Sequence, residues 1–515
     1  MESVAAARRK RGMRAISHEV TFGRAYDGRL VRRLSVFFRP HFALFVVSML
    51  TYPVVAAFGL AQPYLVKVAI DQHLVPRQLE GFGWIAMFMV LAVLGEFVAK
   101  FTQTILSQLL GQRVCRDLRV TLFRRLQTVD LSYIERNPVG RLMTRVTNDV
   151  ESLQETFSTG AISIVGDIVT LVGIVAMMLA LDWKLTLYAF ATLPLLMGFV
   201  SVMRARARDA FRRVRTLLSQ MNAFLNEAIQ GMTLVQAFRQ ERNMHDEFSE
   251  VNGEYRNANF LSIRYDAMTY AVVEGLSTVA TASILLLGLS LFINGSVEIG
   301  LFVAFVEYLR RFFMPINELS TKYTVLQSAM ASAERCVDLL DQNPAVIAPK
   351  TPVEPPKLQT AVRFDGVTFS YGPDKPKVFE GLDLELRKGE KVAIVGPTGA
   401  GKSTIVKLFA RFYDPIEGRI IYDDVDVRDM AIDDLRGRLA VVLQDPYLLD
   451  GTFEENIRFG HADVPHEALE RAAERTQASK VIARQRDGWQ TRVGERGGLL
   501  SAGERQLIAF ARALV

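Results

Sequence analysis

At 515 residues the chain is too long for one ordinary core, so two or more domains are expected. Hydrophobic residues make up 50% of it and the mean hydropathy is positive, which is unusual for a soluble protein with 23% charged residues and suggests a membrane part joined to a soluble part. Two cysteines are too few for a disulfide framework. The net charge of +6 could indicate a nucleic-acid partner, and the positions of the basic residues decide that question.

Six apolar runs are long enough to span a bilayer as helices, which takes about 20 residues each. They are residues 42–66, 82–110, 161–181, 185–203, 268–293 and 299–316. The sixth run is the weakest because Glu307, Arg310 and Arg311 interrupt it. The sequence therefore predicts a helical transmembrane domain over residues 39–341, preceded by a cytoplasmic segment of residues 1–38.

The basic residues alternate from one connection to the next. Residues 1–39 contain ten Lys or Arg, the connection between the second and third runs eight, and that between the fourth and fifth ten. The other three connections are short and hold only Lys67, Arg77 and Lys184. By the positive-inside rule both termini are cytoplasmic. The basic balance reflects membrane topology, so we expect no nucleic-acid partner.

Two cytoplasmic connections, at residues 112–160 and 204–266, place apolar residues at helical spacing on both sides of a turn. Each predicts two helices that leave the membrane and return, about 24 residues per arm, which carries a short tip roughly 35 Å into the cytoplasm. The tips fall near residues 133–140 and 231–238. They suit contact with another domain, but solvated hairpins without a partner remain the alternative on this pattern alone.

Five prolines between residues 342 and 358 indicate a linker. The pattern then changes to short strands, over a domain that we place at residues 359–515. Residues 391–395, which read Lys-Val-Ala-Ile-Val, predict a further, buried strand. Alternating apolar residues line the first two strands: Val362, Phe364, Val367 and Phe369 in one, and Leu382, Leu384 and Leu386 in the other.

Residues 396–403 read Gly-Pro-Thr-Gly-Ala-Gly-Lys-Ser and match the phosphate-binding loop, with a predicted strand before it and a predicted helix after it. Gly396, Gly399 and Gly401 let the backbone curl so that its N–H groups face the phosphates of ATP. Lys402 neutralises the β- and γ-phosphates, and the Ser403 hydroxyl is offered to Mg²⁺. The loop alone does not separate a kinase, a GTPase and a transporter.

Residues 500–506 read Leu-Ser-Ala-Gly-Glu-Arg-Gln and open a helix, for which Ser501 is a natural N-cap. Together with the loop, this segment makes the chain resemble the ATP-binding cassette exporters, specifically the half-transporters of the multidrug and lipid type, over residues 38–515. The resemblance implies six transmembrane helices with long cytoplasmic extensions and an α/β P-loop nucleotide-binding domain, here incomplete. It also identifies the arm tips with the family's coupling helices.

The resemblance assigns roles to particular residues. Tyr371 corresponds to the aromatic residue that stacks on adenine, and Gln444 to the glutamine that contacts Mg²⁺ and the attacking water. Ser403 and Gln444 are therefore the implied Mg²⁺ ligands. Residues 491–497 resemble the segment just before the family's signature. The implied nucleotide contacts are Tyr371, Gly396, Thr398, Gly399, Ala400, Gly401, Lys402, Ser403, Thr404 and Gln444.

The family mechanism implies a second half-transporter. Two nucleotide domains close head to tail, and each ATP is held between one chain's loop and the other's signature, here Ser501, Ala502, Gly503 and Glu504. The family's usual signature is Leu-Ser-Gly-Gly-Gln, so Ala502 and Glu504 are departures. We expect alanine to resist a positive φ and the carboxylate to repel a γ-phosphate, which weakens this site. The departures favour a heterodimer over a homodimer, and both stay open.

The sequence ends at Val515, before the strand in which the family carries its Mg²⁺-binding aspartate and catalytic glutamate, and before its switch histidine. We therefore expect a truncated sequence that binds ATP but lacks the general base for hydrolysis.

Charged residues inside the apolar runs are costly in lipid. Glu96 and Lys100 are four apart and can pair on a helix. Glu274, Glu307, Arg310 and Arg311 either line a polar substrate path or pair internally, with Glu307 the best candidate for the lining. Asp167 is interpreted as a helix-packing residue.

The function predicted is ATP-dependent export of a hydrophobic drug or lipid across the cytoplasmic (inner) membrane, by a multi-pass half-transporter in contact with membrane lipid. The alternative is a non-hydrolysing, ATP-sensing or regulatory half, or an ATP-gated channel subunit. The signature and the two arms disfavour a membrane-tethered P-loop kinase. The substrate itself is left open.

Overall fold

The computed structural model describes residues 27–78, 80–191, 193–293, 298–344, 346–354, 357–461 and 463–515. Residues 1–26 of the predicted N-terminal segment, residues 294–297 between the fifth and sixth runs, and two of the linker prolines, Pro355 and Pro356, lie outside these ranges. Two compact units are present, one formed by residues up to 126 and from 140 to 341, the other by residues 127–139 and 342–515.

Helices dominate the chain before residue 342. They are α1 (Gly28–Leu34), α2 (Phe42–Ala69), α3 (Phe82–Thr128), α4 (Leu131–Arg136), α5 (Val139–Val146), α6 (Asn148–Glu155), α7 (Ala161–Leu181), α8 (Trp183–Ala191), α9 (Leu193–Gln230), α10 (Met232–Ala237), α11 (Glu241–Ile293) and α12 (Ile299–Leu340). A 3₁₀ turn, Ser35–His41, joins α1 to α2, and single π turns follow α2 and α6.

Every predicted apolar run lies on one or two of these helices. In the described part of the chain, three segments are long and apolar enough to cross a membrane: Gly28–Leu74, Phe82–Thr128 and Val139–Leu181. The fourth run lies on α8 and α9, on either side of Thr192, which lies outside the described residues. The fifth and sixth runs lie on α11 and α12. Helices suit this setting because they satisfy their own backbone hydrogen bonds in lipid.

The first unit has its largest core where α7, α8, α11 and α12 meet, around the fully buried side chains of Phe305 and Tyr308. The Tyr308 hydroxyl donates a 2.7 Å hydrogen bond to the backbone oxygen of Leu60 on α2. Gly166 of α7 packs against the Tyr52 ring of α2 so closely that a Cβ there would lie 1.9 Å from a ring carbon. Small residues permit such close packing of membrane helices.

The second arm has the predicted long helix on each side of a short tip helix, whereas in the first arm the returning segment is divided into two shorter helices. The first arm consists of α3, which has 47 residues, the tip α4, and the shorter helices α5 and α6. In the second arm, α9 and α11 flank the tip α10, and the rings of Phe224 and Phe248 stack between them at 6.1 Å. Buried Asp149 on α6 accepts hydrogen bonds from Ser332 and Arg335 of α12.

The second unit contains a four-stranded antiparallel sheet of order β2-β1-β3-β4. Its strands are β1 (Ala361–Phe369), β2 (Phe379–Arg387), β3 (Glu417–Tyr422) and β4 (Val425–Asp426). Phe364 of β1 lies opposite Leu384 and Ile420, so the alternating pattern correctly predicted the first two strands. The remaining helices are α13 (Lys402–Phe409), α14 (Ile432–Arg436), α15 (Phe453–Arg458), α16 (His466–Thr476), α17 (Ala478–Ala483) and α18 (Ala502–Leu514).

The prediction of a buried strand at residues 391–395 is wrong in this structure. Residues 391–396 have no regular secondary structure, and Val395 is 88% exposed. Val441 and Leu443 are exposed in an equally irregular segment. A strand needs a neighbour for its N–H and C=O groups, and within the described ranges no segment pairs with residues 391–395.

Asp423 connects the turn between β3 and β4 to the start of β1 by hydrogen bonds. Its carboxylate accepts hydrogen bonds from the backbone N–H groups of Gln359, Thr360 and Ala361 and from the Thr360 hydroxyl. Burial raises the pKa of this carboxyl, but the four hydrogen bonds outweigh that effect and hold the pKa at about 2. The carboxylate is thus a structural group, charged at neutral pH.

Candidate functional site

Two glycines of the phosphate loop occupy the left-handed region of backbone conformation. Gly399 has φ +90° and Gly401 has φ +87°. A Cβ at Gly401 would lie 2.6 Å from the Phe379 ring and 2.9 Å from the Val378 side chain. Both the backbone and the packing therefore require glycine at position 401, where the loop turns into α13.

Lys402 folds back across the loop that precedes it. Its Nζ donates to the backbone oxygens of Gly396 at 2.8 Å and Pro397 at 2.7 Å. The loop itself, including Thr398 and Ala400, is exposed, and so is Ser403 in the first turn of α13. A cation, free N–H groups and the positive end of a helix thus face solvent together. This arrangement fits a phosphate chain, whose oxygens would replace the two carbonyls at Lys402.

Magnesium in such a site is held by a hydroxyl, the phosphates and water rather than by a cage of protein ligands. The exposed Ser403 hydroxyl fits that role. Over the ranges that the structure describes, no group of three or more His, Cys, Asp or Glu side chains is placed to hold a metal ion.

Tyr371 lies directly beside α13. Its hydroxyl is 2.9 Å from the hydroxyl of Thr404, a buried residue in the first turn of that helix. Its ring contacts Phe369 and Tyr413 edge to face, with centroids 5.0 and 5.2 Å apart, and Lys407 Nζ lies 5.3 Å from the ring centre. The structure thus brings Tyr371 and Thr404 together, and the Thr404 hydroxyl is engaged by tyrosine.

Glu135, on the tip helix α4, reaches the same cluster. Its carboxylate accepts hydrogen bonds of 2.7 Å from Lys407 Nζ and 2.7 Å from the Tyr413 hydroxyl, while Leu131 packs against the core around β1. All of these residues belong to the second unit. The tip of the first arm is therefore packed beside the helix that begins at the phosphate loop.

Electrostatics reinforce this contact. Burial raises the pKa of the Glu135 carboxyl, but hydrogen bonds from Lys407 and Tyr413 outweigh it, so the pKa lies below its usual value. Burial alone would lower the pKa of Lys407. The hydrogen bond to Glu135 outweighs that effect, and the pKa of Lys407 lies above its usual value. Both groups are charged at neutral pH. The sequence pattern indicated the tip but not these side chains, because an acid in a short polar helix carries no local signal.

Gln444 lies in the exposed, irregular segment at residues 440–446. Its backbone oxygen accepts a long, 3.4 Å hydrogen bond from the side chain of Gln506. Within the described part of the chain, no hydrogen bond joins Gln444 to the phosphate loop or to Ser403. The structure therefore does not bring these two predicted Mg²⁺ ligands into contact.

Ser501 is the N-cap of α18, as predicted, and Glu504 completes a capping box with it. The Glu504 carboxylate accepts hydrogen bonds of 2.8 Å from both the N–H and the hydroxyl of Ser501, and these bonds lower the pKa of Glu504. The Ser501 groups suited to an anion are thus bound to a carboxylate of the same helix.

The backbone at Ala502 does not have the positive φ that alanine would resist. Ala502 is the first helical residue of α18 and has no positive φ, so any side chain fits its backbone. A Cβ at Gly503 would meet nothing within 4 Å. Glu504 is thus the departure that changes the chemistry of the segment.

Comparison with known proteins identifies both units. The family described as ABC transporter transmembrane region matches residues 45–316, and the family described as ABC transporter matches residues 379–515. The chain belongs to the ABC transporter family. It has the organisation of a half-transporter, a helical transmembrane region followed by an ATP-binding domain, and its membrane region makes it a multi-pass membrane protein.

Relatives of this ABC transporter extend along most of the chain. It is 34% identical to the uncharacterized ABC transporter ATP-binding protein YknV of Bacillus subtilis, over 91% of this chain and 78% of the relative. It is 31% identical to the ATP-dependent lipid A-core flippase of Syntrophus aciditrophicus, over 94% and 80%. A putative multidrug export ATP-binding/permease protein of Bacillus subtilis, YgaD, is 30% identical over 94% and 84%. These relatives are similar to this ABC transporter over both of its domains.

Two charged groups in the apolar runs have partners that the sequence did not predict. Glu96 accepts a hydrogen bond from Gln62 of α2, whereas Lys100, its expected partner, is exposed. Asp167 of α7 forms a 2.6 Å ion pair with Lys322 of α12, so it is more than a packing residue. Each pairing joins two different helices, which spacing along one helix does not reveal.

Proposed function

We propose that this ABC transporter uses ATP to export a hydrophobic drug or lipid across the cytoplasmic (inner) membrane, as one half of a dimer. Family membership supports ATP-driven export as the general activity. The observation that carries the proposal is the contact of Glu135 with Lys407 and Tyr413, since it ties a membrane-arm tip to the helix that begins at the phosphate loop.

The nucleotide is proposed to bind along α13 and the loop before it. Adenine stacks on Tyr371, and the phosphates lie against residues 396–404, where Lys402 exchanges its two carbonyl partners for phosphate oxygens. Mg²⁺ binds the Ser403 hydroxyl. Gln444 reaches the metal and the attacking water only if its exposed segment moves.

ATP binding is proposed to act on the membrane domain through α4. A base stacked on Tyr371 would displace this ring against Lys407 and Tyr413, which contact it. Both of these side chains donate hydrogen bonds to Glu135. Binding drives the transport cycle only if it favours one arrangement of the arms over another. The charged and hydrogen-bonded contact at Glu135 is proposed to differ between these arrangements.

The dimer is proposed to be a heterodimer. In a head-to-tail pair, Ser501, Ala502, Gly503 and Glu504 face the ATP held by the partner's loop. The Glu504 carboxylate already occupies the Ser501 donors and repels a γ-phosphate, so this signature makes a weak site. A partner with an intact signature would supply the strong one.

Composition and relatives support the proposed topology and substrate class. The alternation of basic connections supports cytoplasmic termini. Relatives whose names specify a lipid A-core flippase and multidrug export support a hydrophobic substrate.

Transport in membrane vesicles tests the proposal. The transporter, purified from its own membrane with any partner, is reconstituted, and uptake of a fluorescent hydrophobic dye is followed with ATP and with a non-hydrolysable analogue. Uptake with ATP alone, abolished by Lys402→Ala, is the expected result. ATP binding without turnover, even beside the partner, would instead favour the regulatory alternative, and nucleotide-gated ion currents the channel.

A further inference from the structure

Arg411 lies just beyond the end of α13, and its side chain is only 2% exposed. The guanidinium donates hydrogen bonds to the Asp414 carboxylate at 3.1 Å and to the backbone oxygens of Met430 at 3.3 Å and Ile347 at 2.9 Å. A buried cation is costly unless such partners satisfy it. These three acceptors therefore hold the side chain in one position.

The backbone at Arg411 is unusual for this residue type. Its φ is +50°, in the left-handed region in which helices commonly end at a glycine. The Arg436 guanidinium fixes this turn, because it donates to the backbone oxygens of Ala410 at 3.1 Å and of Arg411 at 3.0 Å. An arginine in a conformation that glycine adopts without strain indicates that the contacts of its side chain outweigh the strain.

The linker predicted over residues 342–358 is attached beside this turn. The Ile347 side chain is 72% exposed, but its backbone oxygen accepts the hydrogen bond from Arg411. The preceding N–H, of Val346, donates to the Asp130 carboxylate at 3.3 Å, where the tip helix α4 begins. The first attachment point of the linker therefore joins the arm tip to the end of α13.

A second attachment lies at Val353. Its N–H donates to the backbone oxygen of Asp429 at 2.8 Å, in a segment that Arg411 also binds. Residues 341–346, before the first attachment, continue directly from α12. The linker is thus fixed at both ends of residues 347–353, and the residues before them join it to α12.

α13 connects the first attachment to the nucleotide site. Its first two residues, Lys402 and Ser403, end the phosphate loop, and its eight residues form a helix of about 12 Å that Arg411 follows. A short helix moves as a rigid element, so a shift of its first turn on nucleotide binding also moves the attachment of the linker. Residues 341–346 would pass this shift on to α12 unless they are slack.

We propose that the linker is a second route from the nucleotide site to the membrane domain, beside Glu135, and that Arg411 is the positioning residue that fixes it to α13. Nucleotide binding moves α13, Arg411 carries the movement to Ile347, and the linker carries it to the end of α12 at Leu340. This proposal rests on the ATP-driven function proposed above and adds a defined path to one membrane helix.

Hydrogen exchange in the full chain tests the proposal without turnover. The chain, with any partner that co-purifies, is placed in lipid nanodiscs. Exchange of residues 329–340 in α12 is measured by mass spectrometry with and without a non-hydrolysable ATP analogue. We expect the analogue to change this exchange in wild type. Arg411→Gln should remove about half of that change or more, while analogue affinity stays within about twofold and the analogue-induced change in α4 persists.

Insertions in the linker leave Arg411 intact, so they do not depend on how the substituted chain folds. A Gly-Ser pair inserted between Gln342 and Asn343 lengthens the connection to α12 and should reduce the analogue-induced change in the same way. The same pair inserted between Lys350 and Thr351 lies between the two attachments. It is the matched control and should leave the change in α12 as in wild type.

Ile347→Ala is a second control, because it removes an exposed side chain and keeps the backbone oxygen that Arg411 binds. It should behave as wild type. The proposal is overturned if the analogue leaves α12 of wild type unchanged, if Arg411→Gln keeps the full change, or if the two insertions have equal effects. A change in α12 that is retained without any ATP-driven uptake would contradict the export function and leave the linker route standing.

Discussion

The carboxylate of Glu135 lies 2.7 Å from the ammonium of Lys407, a residue 272 positions further along the chain. Lys407 is in the second turn of α13, the eight-residue helix that starts at the phosphate loop. Tyr413 donates to the same carboxylate and packs on the Tyr371 ring. Glu135 on the arm tip therefore accepts hydrogen bonds from two side chains that lie beside the proposed nucleotide site.

Replacing Glu135 by Gln should weaken the coupling between ATP hydrolysis and substrate transport more than it weakens ATP binding. The variant keeps the shape but loses the charge, and because this ion pair is partly exposed the loss is about 1 kcal/mol. We expect ATP affinity within about twofold of wild type and clearly fewer substrate molecules transported per ATP hydrolysed. The ratio of uptake to phosphate release in vesicles measures this. Glu151→Gln, an exposed acid on α6, is the control, and an unchanged ratio in the Glu135 variant would contradict the proposed role.

Asp423→Asn should loosen the start of β1. The pKa of Asp423 is held at about 2, against an ordinary value near 3.8, which corresponds to about 2 kcal/mol at pH 7. Hydrogen exchange of the Thr360 and Ala361 amides should therefore accelerate by about 30-fold in the variant. Mass spectrometry of the full chain reads this out. Asp424→Asn, at the exposed neighbouring position, should show no such change.

The same carboxylate gives a pH dependence of defined sign. A lowered pKa in the folded chain means that the stabilisation is complete above the ordinary pKa and is lost as pH falls through the folded one. The free energy by which Asp423 protects these amides from exchange, relative to Asp423→Asn, should thus fall to roughly half by pH 3 and nearly vanish at pH 2. A difference that persists at pH 2 would mean that the asparagine variant fails for steric reasons.

Gly401→Ala should impair nucleotide binding. The substitution forces alanine to φ +87° and places its Cβ 2.6 Å from the Phe379 ring, so the loop must shift. Such strain costs about 1–3 kcal/mol, and ATP affinity should fall about tenfold or more. Fluorescent ATP-analogue titration measures it. The matched control is Gly253→Ala in α11, where a Cβ meets nothing within 4 Å.

Glu504→Gln should strengthen the composite ATP site formed with the partner. Glutamine can keep the capping box with Ser501, so α18 remains intact while the charge facing the γ-phosphate disappears. We expect ATP affinity at this site to rise about fivefold at low salt and less at high salt. The ATP concentration needed for cross-linking of the two nucleotide domains reports the affinity of this site. No gain, with α18 still folded, would show that the carboxylate is not near the phosphate.

Sequence patterns predicted those features that depend on local periodicity. The alternation from Val362 to Phe369 defined β1, and helical spacing defined both arms and their tips. The run at residues 391–395 misled because a strand also requires a partner, which local pattern does not encode. Likewise Glu96 pairs with Gln62 of another helix rather than with Lys100 on its own. The phosphate-loop motif was recognised, but the closure of Lys402 onto the loop carbonyls was not.

The length of α3 has a mechanical consequence. Its 47 residues contain no proline, so it is a continuous rod of about 70 Å with no built-in kink. A tilt of 5° at one end of such a rod displaces the other by about 6 Å. We therefore expect α3 to act as a long lever, in which a small tilt at one end becomes a displacement of several ångströms at the other.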